Sequence, residues 1–227
     1  MDPHACLTPH AGLILRQWDF FATTACRSVV LPDGCRDLIL LRPAQGEPSW
    51  FVSPLADTAY PVASAAGQAY IGLRFHPAAR IDAPRLLAAL RARDGSALPW
   101  DAVAPLVEAV HDHVHLDARI VEALTALSEC SSVAAARRRL GVGARSMERL
   151  LAAGTGRPPG YWRGLARIRR AARDLSGNQT LAEIAADHGY ADQAHMNRAF
   201  RAWFGCSPGR FRIAPDLRAL AAEPGYD

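Results

Sequence analysis

The chain has 227 residues, half of them hydrophobic, enough for one large or two modest packed domains, and wholesale disorder is excluded. No run of eighteen apolar residues occurs, so no membrane-spanning helix is expected, and Met1-Asp2-Pro3-His4 lacks the basic start and apolar stretch of a secretion signal; a cytoplasmic protein is expected. The basic complement of 26 is entirely arginine, which suits phosphates and base edges and which a GC-rich coding sequence also produces. Residues 1–117 hold 9 Arg against 12 acids, net −3; residues 118–215 hold 16 Arg against 7 acids, net +9; residues 216–227 carry net −2. A basic block joined to an acidic one points to a polyanionic partner for the second region only. Cys6, Cys26, Cys35, Cys130 and Cys206 are odd in number and form no C-x-x-C pair, so neither a disulfide framework nor a cysteine zinc site is expected.

Residues 13 to 80 read as short β segments. Cys35-Arg-Asp-Leu-Ile-Leu-Leu41, Ser49-Trp-Phe-Val52 and Ala69-Tyr-Ile-Gly-Leu-Arg-Phe75 are apolar or alternating runs bounded by turn signals at Pro32-Asp33-Gly34, Pro43 and Pro77. Strands without intervening helices suggest a small sandwich or barrel. After Pro84 the period changes: Leu86, Leu87 and Leu90, then Val103, Leu106, Val107 and Val110, recur at helical spacing, with Gly95 and Pro99 between them. Everything from Asp117 reads helical. Helices are expected from Asp117 through Leu127, from Ser131 or Ser132 to Gly141, and over 144–153. They continue from Pro158 to Leu175, from a Thr180 cap to His188, and over 192–204. Ser207-Pro208 opens a last short one.

Two stretches repeat each other. Val133, Ala136, Gly141 and Val142 match Leu181, Ile184, Gly189 and Tyr190 at an offset of 48, and Met147, Arg149, Leu151, Gly156 and Pro159 match Met196, Arg198, Phe200, Gly205 and Pro208 at an offset of 49. Each unit is helix, glycine turn, helix, glycine, proline: the layout of a helix-turn-helix, whose second helix enters the DNA major groove. About 18 residues of linking helix span roughly 27 Å. That length suits two recognition helices about one DNA turn, ~34 Å, apart.

The run Thr180-Leu-Ala-Glu-Ile-Ala-Ala-Asp-His-Gly-Tyr-Ala-Asp-Gln-Ala-His-Met-Asn-Arg-Ala-Phe-Arg-Ala-Trp-Phe-Gly-Cys-Ser-Pro-Gly-Arg-Phe211 resembles, without a gap, the signature of the AraC family of transcription regulators. The resemblance extends over roughly residues 118–214. It implies a C-terminal DNA reader of two helix-turn-helix units and an N-terminal sensing or dimerising domain. Leu31-Pro-Asp-Gly-Cys-Arg-Asp-Leu38, Gly72-Leu-Arg-Phe-His-Pro77 and Leu98-Pro-Trp100 are more weakly similar to a cupin-like N-terminal domain found in part of that family. The expected fold class is α+β: a β-rich cupin-like domain (1–82), a helical linker or dimerisation region (83–116), an all-α reader (117–215) whose two units are joined by a long helix, and a tail (216–227).

The groove-facing residues expected in the second unit are Gln193, Ala194, His195, Asn197 and Arg198. Gln193, His195 and Arg198 are placed near base edges, and Asn197 and Arg201 at phosphates; Met196, Phe200 and Trp203 face the core. In the first unit the matching residues are Arg145, Ser146, Glu148 and Arg149. Gly143 and Ala191 stand where the resemblance leads one to expect a capping serine, and Ala152-Ala153 where basic residues are common. Arg137-Arg138-Arg139 and Arg163, Arg167, Arg169, Arg170 and Arg173 are either solvated faces or phosphate contacts.

For a sensor, Trp50, Tyr60, Tyr70, Arg74 and His76 are candidate pocket residues, mixing aromatic walls with polar anchors. His111 and His115 are spaced i,i+4, a permitted ligand pair on one helix face, but no third ligand is evident and no metal or cofactor is expected. No phosphate loop, nucleophile elbow or catalytic carboxylate pair occurs, and no three convergent ligands stand between residues 13 and 80, which argues against a cupin-type enzyme. The expected partners are double-stranded DNA, a small-molecule effector, a second copy of the chain and, for an activator, RNA polymerase.

Overall fold

The structure is a computed structural model and describes residues 12–92 and 103–227. Leu98-Pro-Trp100, the Gly95/Pro99 break, Cys6 and the first four residues lie outside the described residues. In chain order the elements are β1 (Ile14–Phe21), β2 (Cys26–Val30), β3 (Asp37–Arg42), β4 (Ser49–Val52), β5 (Tyr60–Ser64), β6 (Ala69–Phe75), β7 (Ala79–Ile81), α1 (Ala83–Ala92), α2 (Val103–His113) and β8 (Val114–Leu116). Then follow α3 (Ala118–Glu129), α4 (Val133–Leu140), α5 (Ala144–Thr155), α6 (Pro159–Asp174), α7 (Leu181–Asp187), α8 (Gln193–Phe204), α9 (Pro208–Ile213) and α10 (Pro215–Ala222). A β-rich first region followed by a helical second is the α+β arrangement that the sequence leads one to expect. The chain divides into two compact units, one drawn from Met1–Cys26, Arg36–Pro54 and Ala63–Asp117, the other from Arg27–Cys35, Leu55–Val62 and Ala118–Asp227.

The first unit is built on an antiparallel sheet in the order β1-β6-β3-β4. Side chains alternate between its faces. Leu38 and Leu40, Trp50 and Val52, and Ile71, Leu73 and Phe75 share one face and pack with Leu86 and Leu90 of α1 and Ala109 and Val110 of α2. On the opposite face Trp18 lies over Gly72; a β-carbon there would sit 2.1 Å from the indole, so only glycine fits. The Trp18 indole N–H and the Arg74 Nε both donate to Asp37 Oδ1, at 3.0 and 3.2 Å, and the Asp37 amide donates to Ser53 Oγ at 2.8 Å. A charge at a buried position is thus paired and hydrogen-bonded. Helix α2 stops at His113, because Val114 turns inward and β8 pairs with β7, Val114 opposite Ile81 and His115 opposite Arg80.

In the second unit α6 is the hub. It packs against α3, α4, α5, α7, α8, α9 and α10. Trp162, Leu165, Ala166, Ile168, Ala171 and Ala172 are fully buried along it, so this helix is enclosed on most sides and its small residues admit close neighbours. Each helix-turn-helix closes with the same device. Gly141 (φ 65°) and Gly189 (φ 68°) take the left-handed conformation. The following amides of Val142 and Tyr190 return to Arg137 O and Ala185 O, while Gly141 and Gly189 return to Arg138 O and Ala186 O, the Schellman pattern. Gly156 (φ 75°) and Gly205 (φ 69°) end α5 and α8 in the same left-handed conformation but with one bond each, from their amides to Ala152 O and Arg201 O, and Pro159 and Pro208 start the next helices. The repeat therefore reflects four backbone positions that a β-carbon would strain. Ser132 caps α4, and Thr180 with Glu183 forms a capping box on α7.

Residues 216–227, expected to be a tail, are packed into this unit. Helix α10 lies on α6, and Tyr226 is buried with its ring 5.0 Å from Trp162, its hydroxyl donating to Leu124 O at 2.8 Å and its amide to Asp33 O at 2.7 Å.

Candidate DNA interface

The second helix of each unit has one face sunk and one face free. Met147 and Leu151 of α5 are buried, while Arg145, Ser146, Glu148 and Arg149 are exposed. Met196, Phe200 and Phe204 of α8 are buried; Gln193, Ala194, Arg198 and Arg201 are exposed, and His195, Asn197 and Trp203 are half-buried. The structure thus brings the expected residues of each unit together on the outer face of its own helix. No hydrogen bond or ion pair within the described residues engages the side chains of Arg145, Arg149, Arg198 or Arg201, so their donors are free for an external partner.

The helix starts differ. Helix α5 begins at Gly143 with no side-chain cap, as expected. The cap of α8 is Asp192 rather than Ala191: its carboxylate accepts the His195 amide at 2.6 Å. The residue added between the offsets of 48 and 49 puts Asp192 opposite Gly143, so the second unit keeps the capping oxygen that the expectation denied it.

The arginines of α6 are otherwise employed. Arg163 Nη2 donates to Ser131 O (3.1 Å) and Arg170 Nη1 to Ser128 O (2.5 Å), both past or at the end of α3. Arg167 Nη1 donates to Gly189 O (3.4 Å), and its guanidinium stacks 4.3 Å over the Tyr190 ring. Arg169, 1% exposed, donates to Glu223 O (2.8 Å), and Arg173 donates to Ala221 O (3.1 Å) and pairs with Asp227. Each satisfies a carbonyl that a helix end or turn leaves without an intrahelical partner. Burial, with the crowding of neighbouring arginines, holds Arg163 and Arg173 below the ordinary arginine range. The set is bonded to backbone carbonyls of its own unit rather than left as a purely solvated face. In the other cluster Arg139 pairs with Glu129, whereas Arg138 is exposed. His188 bonds Asp174 at 2.7 Å and ties the end of α7 to that of α6.

Sequence reasoning missed a second group altogether. Segment 55–62 belongs to the helical unit. Asp57 accepts both Nε (2.8 Å) and Nη2 (2.7 Å) of Arg157, just before α6; Ala56 O accepts the Tyr161 hydroxyl (3.0 Å); and the Ala59 amide donates to Trp203 O (2.8 Å) in the last turn of α8. Tyr161 sits 5.1 Å from Trp203, and burial pushes its hydroxyl well above the usual tyrosine range. Asp57 and Arg157 are 100 residues apart, so no local pattern announces them.

The sensor candidates do not converge. Trp50 is in the core face of the sheet, whereas Arg74, tied to Asp37, and Tyr70, bonded to Ser64 and Gln68, are on the opposite face. Tyr60 belongs to the helical unit. His76 accepts the Ala78 amide through Nδ1 (3.0 Å), and burial lowers its pKa. His111 and His115 do not share a helix face, since His115 is in β8. Among the described residues no group of three or more potential metal ligands gathers, and no helix is long and apolar enough to cross a membrane.

Two glycine-closed helix-turn-helix units with outward arginines have the layout of a DNA-binding domain. Residues 137–214 match the model of a family described as a helix-turn-helix domain. Comparison with curated protein sequences finds no match. Among solved structures, ToxT from Vibrio cholerae O395 is 7% identical over 87% of this chain and 96% of that one, at a TM-score of 0.46. A second crystal form of ToxT from Vibrio cholerae is 8% identical over 88% and 98%, at 0.45.

Proposed function

We propose that α5 and α8 lie in successive major grooves on one side of the duplex, held by α6, and that the first unit conveys a signal to them. The 16 residues of α6 give a rod of about 24 Å. The free arginines of both helices support the groove reading. Arg145, Ser146, Glu148, Arg149, Gln193, Ala194, His195, Asn197, Arg198 and Arg201 are the residues assigned to DNA.

The observation that carries the signalling part is the strap at 56–59. It leads directly into β5, and it grips both the start of α6 and the last turn of α8. A signal acts only by favouring one of two states. Phe20 and Phe51, both 37% exposed on the sheet face that carries Trp18 and Tyr70, are where a small-molecule effector would bind. A second copy joined through the first unit would place four helix-turn-helix units on DNA. RNA polymerase is the further partner of an activator.

A gel shift on the chain's own upstream region tests both parts. Arg198→Ala is expected to weaken the shift at least ten-fold, since a bidentate contact to guanine is worth roughly 1–3 kcal/mol. Asp57→Asn is expected to alter affinity or its response to effector while leaving the preferred sequence unchanged. An unaffected shift in Arg198→Ala removes that residue from the interface.

A further inference from the structure

We infer that His195 reads DNA as a hydrogen-bond donor through Nε2, to the N7 of a purine, and that Tyr190 is the residue that positions it. The inference rests on the groove assignment of α8 above and names the chemistry of one contact within it.

At the start of α8 the Asp192 carboxylate accepts the His195 amide at 2.6 Å, and the His195 ring reaches back so that Nδ1 accepts the Ala191 amide at 3.3 Å. The two bonds form a reciprocal capping arrangement in which an imidazole stands where Glu183 stands on α7. A ring nitrogen that accepts a hydrogen bond carries no proton, so the single N–H of this ring is on Nε2. Among the described residues Nε2 has no partner. The ring is fixed on its other side by Tyr190, edge to face at 5.2 Å and 89°, and Tyr190 is itself held by the Arg167 guanidinium 4.3 Å over its face. Tyr190 is buried, so the stack runs from the linking helix to the recognition helix through a side chain that cannot swing.

Fixing the tautomer fixes what the ring can read. A donor on the major-groove side finds N7 on either purine, with O6 beside it on guanine, and O4 on thymine, whereas cytosine offers only its N4 amino group as donor; a 7-deaza purine separates the N7 contact from the others. An unsupported histidine could take either tautomer and accept from cytosine or adenine instead.

The test selects binding sites from random duplex DNA with the full chain and with His195→Gln, Tyr190→Phe and Tyr190→Leu. Circular dichroism confirms that each variant is folded. His195→Gln is expected to change preference at one position, a purine in the wild-type site. Replacing that purine by its 7-deaza analogue should then weaken wild-type binding roughly ten-fold and the variant little. Tyr190→Phe keeps the ring and should keep the preference. Tyr190→Leu should relax that one position while the position read by Arg198 stays selective. A cytosine at the His195 position overturns the donor assignment; a thymine there, indifference to the 7-deaza base, or no changed position overturns the contact to purine N7. Equal loss at every position in Tyr190→Leu overturns the positioning role. If the wild-type chain enriches no sequence at all, the groove reading fails, and this inference with it.

Discussion

The separation of arginines into two sets can be tested through salt. Neutralising a DNA phosphate releases counterions, and the logarithm of the affinity falls with that of the salt concentration by about 0.9 per phosphate contacted on B-form DNA. Arg201 is exposed and unpaired and is assigned to a phosphate; Arg201→Gln should therefore make the slope shallower by about 0.9. Over a four-fold rise in salt, from about 50 to 200 mM, the wild-type advantage then shrinks about 3.5-fold. Arg170 instead donates to Ser128 O at 2.5 Å. Arg170→Gln should leave the slope unchanged and cost stability. A charged hydrogen bond contributes roughly 1.5–3 kcal/mol, discounted here to about 1 for partial exposure, which lowers the melting temperature by about 3 °C. Fluorescence anisotropy across a salt series gives the slopes and thermal unfolding gives the stabilities. If Arg170→Gln flattens the slope as much as Arg201→Gln does, the linking-helix arginines meet DNA after all, and the two sets are one.

The C-terminal residues should behave as core: Tyr226→Ala is expected to cost about 3–4 kcal/mol and Tyr226→Phe about 1 in denaturant unfolding, and a neutral Tyr226→Ala would return 216–227 to the status of a tail. His76 gives a pH signature. Burial lowers its pKa from the ordinary 6.5, so the unfolded chain takes up the proton first, and stability present above pH 6.5 is lost as pH falls, by at most about 1.4 kcal/mol per pH unit. His76→Asn, whose amide oxygen can replace Nδ1 as acceptor for the Ala78 amide, should flatten that loss between about pH 6.5 and 5; the same slope in both proteins would contradict it.

What the sequence disclosed follows the range of the interactions involved. The helix-turn-helix pairs were legible because their determinants are local: apolar residues at helical spacing, and glycines at 141, 156, 189 and 205 where the backbone turns left-handed. The cap of α8 was misplaced at Ala191: the repeat puts the extra residue only somewhere between Tyr190 and Met196, and the helix start itself is what makes Asp192 the cap. The roles of Arg163, Arg167, Arg169, Arg170 and Arg173 were not readable. A charge run at helical spacing looks the same whether its partners are phosphates or the carbonyl ends of other helices, and those carbonyls lie up to 54 residues away. The sheet misled for a similar reason. Trp50 and Arg74 are each compatible with a pocket, but the register Leu40 opposite Trp50 and Asp37 opposite Arg74 puts them on opposite faces, and register is a long-range property. His111 and His115 kept helical spacing on paper. The pairing of Val114 with Ile81 ended the helix first.

The claim on which the rest depends is that both recognition helices engage the duplex from one side. Hydroxyl-radical footprinting combined with methylation interference on a selected site addresses it most directly. The account predicts two patches of guanine N7 interference about one helical turn, roughly 10 base pairs, apart on the same face, the first weakened by Arg149→Ala and the second by Arg198→Ala. A single patch, or two on opposite faces of the duplex, would contradict it.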